Sequence, residues 1–140
     1  MKNRAARILS IGIALAAVTA VSAQNATMTA NVPFSFYMGT TVMPQGAYRV
    51  NEIYNGSVVW MQSMQSGAAK TATTHNAAGA TQTARPRLVF HRYGGDYFLA
   101  EIWTNNASAG QALARSSREK ELAQSGAAPR LALIQVSLHR

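Results

Sequence analysis

Cysteine is absent from this chain of 140 residues, and its absence limits both stability and chemistry. Without thiols there is no disulfide, no thiolate nucleophile and no cysteine ligand for a metal. Packing and hydrogen bonding must therefore hold the fold together. After the N-terminal segment described below is set aside, enough chain remains for one domain with a modest core.

Acidic residues are scarce, since Asp and Glu together number 5 against 13 Lys and Arg, and the formal net charge is +8. With so few carboxylates, catalysis by a pair of acidic side chains is disfavoured. Glu52 and Glu101 could oppose each other across a cleft, as glycosidase pairs do, but no motif places them together. A basic surface suits anionic polysaccharide, lipid head groups or nucleic acid. The cations are scattered with no run of five, so solubility is the simpler explanation of them.

Only one long apolar run occurs, from Ile8 to Val21, and it has the form of an export signal. Three cations precede it, and Val21 and Ala23 occupy positions −3 and −1 of a cut before Gln24. The run of about 14 residues is shorter than the roughly 20 that span a bilayer, which disfavours an uncleaved anchor helix. We therefore predict a cleaved signal peptide at 1–23, a single domain at 24–140, and a periplasmic or extracellular location. Losing Lys2, Arg4 and Arg7 lowers the formal charge from +8 to +5.

The rest of the chain alternates apolar and polar residues over short segments separated by turn residues, which is typical of β-strands. Asn55-Gly56 and Gly94-Gly95 each predict a two-residue hairpin turn, because both dipeptides tolerate positive φ. The fold prediction is all-β: an antiparallel β-sandwich or small β-barrel with one short surface helix. The predicted strands number about seven: 32–36, 47–54, 57–63, 70–75, 87–93, 96–104 and 131–138.

The hairpin around Gly94-Gly95 is the densest apolar segment. Both of its faces are about half apolar, so we expect it to lie centrally and to be covered on both sides. The predicted cross-strand pairs are Tyr93 with Asp96, His91 with Phe98, and Val89 with Ala100.

Two further elements follow near the C-terminus. Ser116 and Glu119 match a capping box, which predicts a short surface helix to about Gln124 that Gly126 stops. The last strand is predicted to be substantially buried by its apolar side chains, Leu131, Leu133, Ile134, Val136 and Leu138.

His91 and Asp96 are the first candidates for a functional cluster, because the hairpin places them diagonally on one face. A carboxylate that holds an imidazole forms the base-and-orienter part of a catalytic triad. Arg92 and Tyr97 should face each other on the opposite side as a cation–π pair. No nucleophile-elbow motif, phosphate loop or metal spacing among His75, His91 and His139 accompanies them, so no catalytic residue, metal or cofactor is predicted. A structural role for the cluster is the simpler interpretation.

Four stretches of the chain carry a resemblance to a known group of proteins. They are residues 32–36 (VPFSF) with Gly39, residues 43–50 (MPQGAYRV), residues 88–99 (LVFHRYGGDYFL) with Trp103, and residues 117–122 (SREKEL). With them the chain resembles a group of small exported bacterial β-rich proteins of unknown function. Gln45 and Gly95 depart from the commoner pattern of the group, but both lie in turns. The resemblance implies a similar fold and no particular substrate.

Three classes of function remain open at this point. The absence of catalytic motifs and the Gly-, Ala- and Thr-rich loops favour a non-catalytic structural or interaction protein of the bacterial envelope. A β-barrel carrier of a small apolar molecule or lipid is the alternative, because a barrel of about eight strands can enclose one ligand. An enzyme using His91 and Asp96 is the third. Export argues against nucleic acid as a partner, although Phe90, Arg92, Tyr97 and Trp103 are predicted to share one face.

Overall fold

A computed structural model describes residues 27–54, 56–77, 85–104, 110–126 and 128–139. The predicted signal peptide at 1–23 lies outside the described residues. The described residues form ten strands and one helix: β1 (Thr27–Val32), β2 (Phe36–Met38), β3 (Thr41–Met43), β4 (Gly46–Ile53), β5 (Val58–Ser63), β6 (Ala69–Asn76), β7 (Arg87–Tyr93), β8 (Asp96–Trp103), β9 (Gln111–Leu113), α1 (Ser117–Gln124) and β10 (Arg130–His139).

Eight of the strands close into an antiparallel barrel in the order β8-β7-β10-β1-β4-β5-β6-β9, and pairing of β9 with β8 completes the ring. Of the two predicted architectures, the small barrel is therefore the one that forms. The β2–β3 hairpin lies outside this ring and pairs with β8 in parallel at Tyr37 and Phe98. One edge of β8 thus pairs with β2 near the start of β8 and with β9 near the end of β8. Within the described residues, no helix is long and apolar enough to cross a membrane.

Side chains fill the interior of the barrel. Phe36, carried by the short β2 strand, packs its ring edge-on against Tyr48 at 5.4 Å and Phe90 at 5.2 Å between centroids. The Tyr48 hydroxyl donates to the Pro44 carbonyl, so the one buried phenol of this group has a partner. The buried interior set is Met28, Ala30, Val32, Phe36, Met38, Met43, Tyr48, Val50, Val59, Met61, Leu88, Phe90, Leu99, Ile102, Leu113 and Val136.

The central hairpin is covered on both sides, as predicted. Leu88 and Phe90 point into the barrel, while Val89 and Trp103 form a second buried group on the outer face. Tyr93 pairs with Asp96 and His91 with Phe98, as the turn predicts.

A β-bulge changes the far half of this hairpin. Phe90 pairs with Leu99 but Val89 pairs with Glu101, so Ala100 is the extra residue and the predicted pair of Val89 with Ala100 is wrong. The insertion shifts the alternation of β8, which puts Ile102 inside and Trp103 outside. Trp103 therefore does not share a face with Phe90, Arg92 and Tyr97, which stay on the inward side.

The β4–β5 hairpin also differs from the prediction. Its last pair is Ile53 with Val58, which leaves four residues in the loop instead of two. Tyr54 adopts φ 52° and Gly56 φ 84°, and the Gly56 and Ser57 amides donate to Ile53 and Tyr54. Thr74 on β6 donates its hydroxyl to the Gly56 carbonyl and draws this loop against the neighbouring strand. Asn55 is outside the described residues.

Two strand predictions need correction. The segment 32–36 is not one strand, because β1 ends at Val32 and the chain turns at Pro33, which cannot donate a ladder hydrogen bond, before β2 begins. In β10 the inward side chains are those of Ala132, Ile134 and Val136, so Leu131 and Leu133 are on the outer face, 65% and 59% exposed. Of the apolar residues in this strand, only Val136 is buried, and Ala132, Ile134 and Leu138 are partly buried against the interior.

Candidate functional site

A depression of about 460 Å³ on the outer surface, between the barrel and α1, holds the densest group of titratable side chains. It collects residues from β6, β7, β8, β9 and the start of α1. Its charged and polar members are His75, His91, Glu101, Arg115, Glu119 and Lys120.

The start of α1 brings Glu119 to this depression. Ser116 is the N-cap, as predicted, and its hydroxyl accepts a hydrogen bond from the Glu119 amide. The Glu119 side chain does not reach back to the cap. It turns towards the barrel and is only 4% exposed, although the helix itself is a surface element.

Glu119 Oε1 has two hydrogen-bond partners on β7 and one ion-pair partner just before α1. His91 Nδ1 lies 2.7 Å away, the Tyr93 hydroxyl donates at 3.2 Å, and Arg115 Nε is at 3.9 Å. Burial raises the pKa of the Tyr93 phenol, and the neighbouring carboxylate raises it further, so Tyr93 remains a neutral donor. A buried carboxylate with this set of partners is satisfied, and it ties α1 to the outer face of β7.

The other side of the depression is formed by Glu101 and His75, which flank Ala112 across β8, β9 and β6. Glu101 accepts a hydrogen bond from the Trp103 indole nitrogen at 2.8 Å, and Arg87 stacks over that indole at 4.9 Å. The Glu101 carboxylate is thus also engaged in holding a side chain.

The predicted functional cluster is divided among three contacts. His91 binds Glu119 instead of Asp96, and Asp96 pairs with Arg118 at 3.2 Å. Arg92 does face Tyr97, with its guanidinium 5.3 Å from the ring centroid. The diagonal relation of His91 and Asp96 on the hairpin is real, but a third element supplies a nearer carboxylate.

The depression offers a general base and a carboxylate that orients this base, but it offers no nucleophile. His91 is 18% exposed, and Nε2 has no protein partner among the described residues. No serine, threonine or cysteine lies among the lining residues. The described residues also contain no group of three or more His, Cys, Asp or Glu side chains that could hold a metal ion. The side chain of His139 is outside the description.

Glu52 and Glu101 do not oppose each other. Glu52 continues the inward alternation of Tyr48 and Val50 along β4, whereas Glu101 is on the outer face. Glu52 Oε1 is buried without a hydrogen-bond partner, and burial raises the pKa of this carboxyl.

A second surface feature lies on the outer face of β10, β1, β4 and β5. Two depressions of about 450 Å³ and 500 Å³ share Thr29 and Met64 and so form one continuous surface. Together with Leu131 beside it, this surface is called here the apolar face; its large apolar members are Trp60, Met64, Leu131 and Leu133. Arg49 is the one charged residue among those that line the two depressions.

Sequence reasoning missed Glu119, Arg115 and the apolar face. Glu119 was assigned to the capping box, and its spacing to Ser116 gives no sign of a distant partner. Strand alternation could have predicted the exposure of Leu131 and Leu133. Both have odd numbers, whereas Ile134 and Val136 have even numbers, and odd and even residues of a strand point to opposite faces. Comparison with protein families, curated proteins and solved structures finds no match for this chain.

Proposed function

We propose that the protein is a non-catalytic interaction protein of the bacterial envelope, exported with cleavage of residues 1–23. The observation that carries this proposal is the placement of large apolar side chains outside a barrel whose interior is already full. Apolar side chains exposed together on a protein surface mark interaction sites. The resemblance to small exported bacterial β-rich proteins supports the location.

The charge of the apolar face indicates the kind of partner. Arg49 adds a cation to a surface otherwise lined by apolar and neutral polar groups, and no carboxylate is among its lining residues. A matching surface would present apolar side chains with acidic residues beside them, which gives both burial and charge complementarity. The partner proposed is therefore an envelope protein with an acidic rim.

The test is a pull-down from a bacterial envelope extract with residues 24–140 as bait. The variant Leu131→Ser/Leu133→Ser removes exposed apolar surface, and we expect it to lose the proteins that the unaltered bait retains. The Arg49→Gln bait should retain them less well at low ionic strength, since a rim charge acts mainly through salt-dependent attraction.

The matched control is Val42→Ser, which removes an apolar side chain 59% exposed on β3, away from the apolar face. This bait should retain the same proteins as the unaltered one. Recovery of no protein by the unaltered bait, or equal recovery by the double-leucine variant, would contradict the proposal.

The two alternatives are less well supported. The filled interior counts against a carrier that encloses its ligand in the barrel. An enzyme using His91 and Asp96 lacks support from the geometry, because these residues bind Glu119 and Arg118 respectively. If His91 is structural, His91→Ala should lower the free energy of unfolding.

A further inference from the structure

Two arginines face each other directly across neighbouring strands at one rim of the barrel. Arg92 of β7 pairs with Arg130 of β10, and both side chains are exposed. Each continues the inward-facing alternation of its strand, Arg92 after Phe90 and Arg130 before Ala132. They line a rim depression of about 320 Å³ together with Gly94 and Ala128.

The Arg92 side chain is held in place by its own surroundings. Its Nε donates to the Gly94 carbonyl at 2.7 Å, and its guanidinium lies over the Tyr97 ring. Tyr97 in turn stacks on Phe34 with 3.7 Å between centroids. The two terminal nitrogens of this fixed guanidinium have no protein partner among the described residues. Less side-chain freedom is therefore lost when a ligand accepts hydrogen bonds from them.

The positive charge at this rim is not balanced by a neighbouring acid. Among the described residues neither arginine has a carboxylate within ion-pair distance. Asp96, the nearest acid in sequence to Arg92, pairs with Arg118. Glu119 and Glu101 are engaged on the outer face by His91 and Trp103. Like charges directly opposite each other in an antiparallel pair destabilise it, and a bound anion reverses that effect.

We propose that Arg92 and Arg130 form a binding site for a phosphate group. Guanidinium groups donate paired hydrogen bonds in a fork that matches the oxygens of phosphate, and two such forks from opposite strands can grip one group from both sides. Gly94 leaves the depression open, because nothing lies within 4 Å of the position where a side chain would begin. The phosphate is either the free ion or the head group of an anionic lipid.

The site is separate from the apolar face. The two arginines follow the inward alternation of β7 and β10 at the rim, whereas Leu131 and Leu133 occupy the outer face of β10. Loss of phosphate binding would therefore leave the proposed protein interaction untouched, and the reverse also holds.

The experiment is calorimetric titration of residues 24–140 with sodium phosphate at pH 7, with sodium chloride added to hold ionic strength constant. We expect saturable binding that weakens about tenfold or more in Arg130→Gln, since one charge-assisted hydrogen bond contributes that much. Arg130→Lys keeps the charge but not the fork, and it should give an intermediate affinity. Arg85→Gln removes an exposed arginine at the opposite end of β7 from Arg92 and should bind phosphate like the unaltered protein.

Sedimentation with vesicles of phosphatidylglycerol, compared with phosphatidylcholine, distinguishes the two sources of phosphate. Binding to the anionic vesicles that Arg130→Gln reduces identifies a lipid head group, and binding of free phosphate alone identifies the ion. The proposal is overturned if the unaltered protein neither binds free phosphate saturably nor sediments with the phosphatidylglycerol vesicles. It is equally overturned if Arg130→Gln and Arg85→Gln, both folded by circular dichroism, bind like the unaltered protein.

Discussion

At the scale of single residues, position 110 has no room for a side chain, so only glycine fits there. A Cβ at this position would be 2.5 Å from Cε2 and 2.6 Å from Cδ2 of the Trp103 indole. Trp103 cannot move freely, because its indole nitrogen donates to Glu101 and Arg87 covers its ring. We expect Gly110→Ala to lower the free energy of unfolding by about 1–3 kcal/mol in urea, through overpacking.

Gly95→Ala is the matched control for this substitution. Nothing lies within 4 Å of a Cβ at Gly95, and its φ is not in the left-handed region. This variant should unfold within about 0.5 kcal/mol of the unaltered protein, as surface substitutions usually do. Equal urea midpoints for the two variants would show that the Trp103 contact imposes no constraint.

Glu52 is the residue from which a pH dependence follows. Burial raises the pKa of this carboxyl above 4.5, so the folded protein keeps a proton at pH values where the unfolded chain has lost it. The free energy of unfolding therefore falls as the pH rises from the pKa of Glu52 in the unfolded chain through its raised pKa in the folded protein. Glu52→Met removes both the titrating group and the unpartnered oxygen, and we expect a gain of about 1 kcal/mol at pH 7.

The measurement is urea unfolding at several pH values between about 4 and 8, a range that begins near the ordinary carboxyl pKa and extends above it. The difference in unfolding free energy between Glu52→Met and the unaltered protein should grow with pH. Glu121→Gln, an exposed carboxylate on α1, is the control and should show no such growth. A constant difference across the range would mean that Glu52 titrates alike in both states.

At the scale of elements, Glu119 is the buried attachment of α1 to the barrel, beside the more exposed pair of Arg118 with Asp96. Glu119→Gln replaces a charged acceptor for His91 and Tyr93 by a neutral one, so we expect a loss of about 1–3 kcal/mol. Hydrogen exchange of the α1 amides should accelerate more than that of β7, because the helix loses its buried attachment while the sheet ladder stays intact. Glu121→Gln again supplies the control, and matched exchange in the two variants would argue against the tie.

The helix and strands that could be predicted from the sequence are those whose signals act between residues close together in the chain. The helix limits were readable because Ser116, Glu119 and Gly126 act within one turn of their own positions. Six of the predicted strands match observed ones within two residues, because alternation and turn residues are local signals. β9 was missed because three residues flanked by loop carry no alternation, and its pairing on both edges comes from the barrel.

The candidate site was predictable only in part for the same reason. Arg92 and Tyr97 belong to one hairpin, so the turn at Gly94-Gly95 was enough to pair them. His91 and Glu119 are 28 residues apart, and no local pattern joins them. The bulge at Ala100 arises where β8 pairs with β7 and also with β2 and β9. The closed sheet requires all of these pairings, whereas the hairpin requires only the pairing with β7.

At the scale of the whole molecule, closure of the barrel depends on β9. Ala112 is paired with His75 of β6 on one side and Glu101 of β8 on the other. Proline there has no N–H to donate to the ladder, and proline is not tolerated inside a strand that is paired on both edges. We expect Ala112→Pro to cost about 3 kcal/mol or more, measured by thermal and urea unfolding.

Ala114→Pro is the matched control, because Ala114 is exposed and follows the end of β9. The residue before a proline favours extended backbone, which Leu113 already has in the strand. This variant should stay within about 1 kcal/mol of the unaltered protein, in the range of proline at a compatible position. Similar stabilities for the two proline variants would mean that the barrel does not need the β9 ladder.

The pairing of β1 with β10 has a consequence for the order of events in folding. Thr29 and Ser137 lie on these adjacent strands although they are 108 residues apart in the chain. Contacts of such long sequence separation require closure of a long loop and form slowly. The ring also cannot be complete until β10 has left the ribosome, so earlier lengths of nascent chain expose two unpaired strand edges. For the proposed export this delay is an advantage, because a chain that has not yet folded remains threadable through a translocation channel.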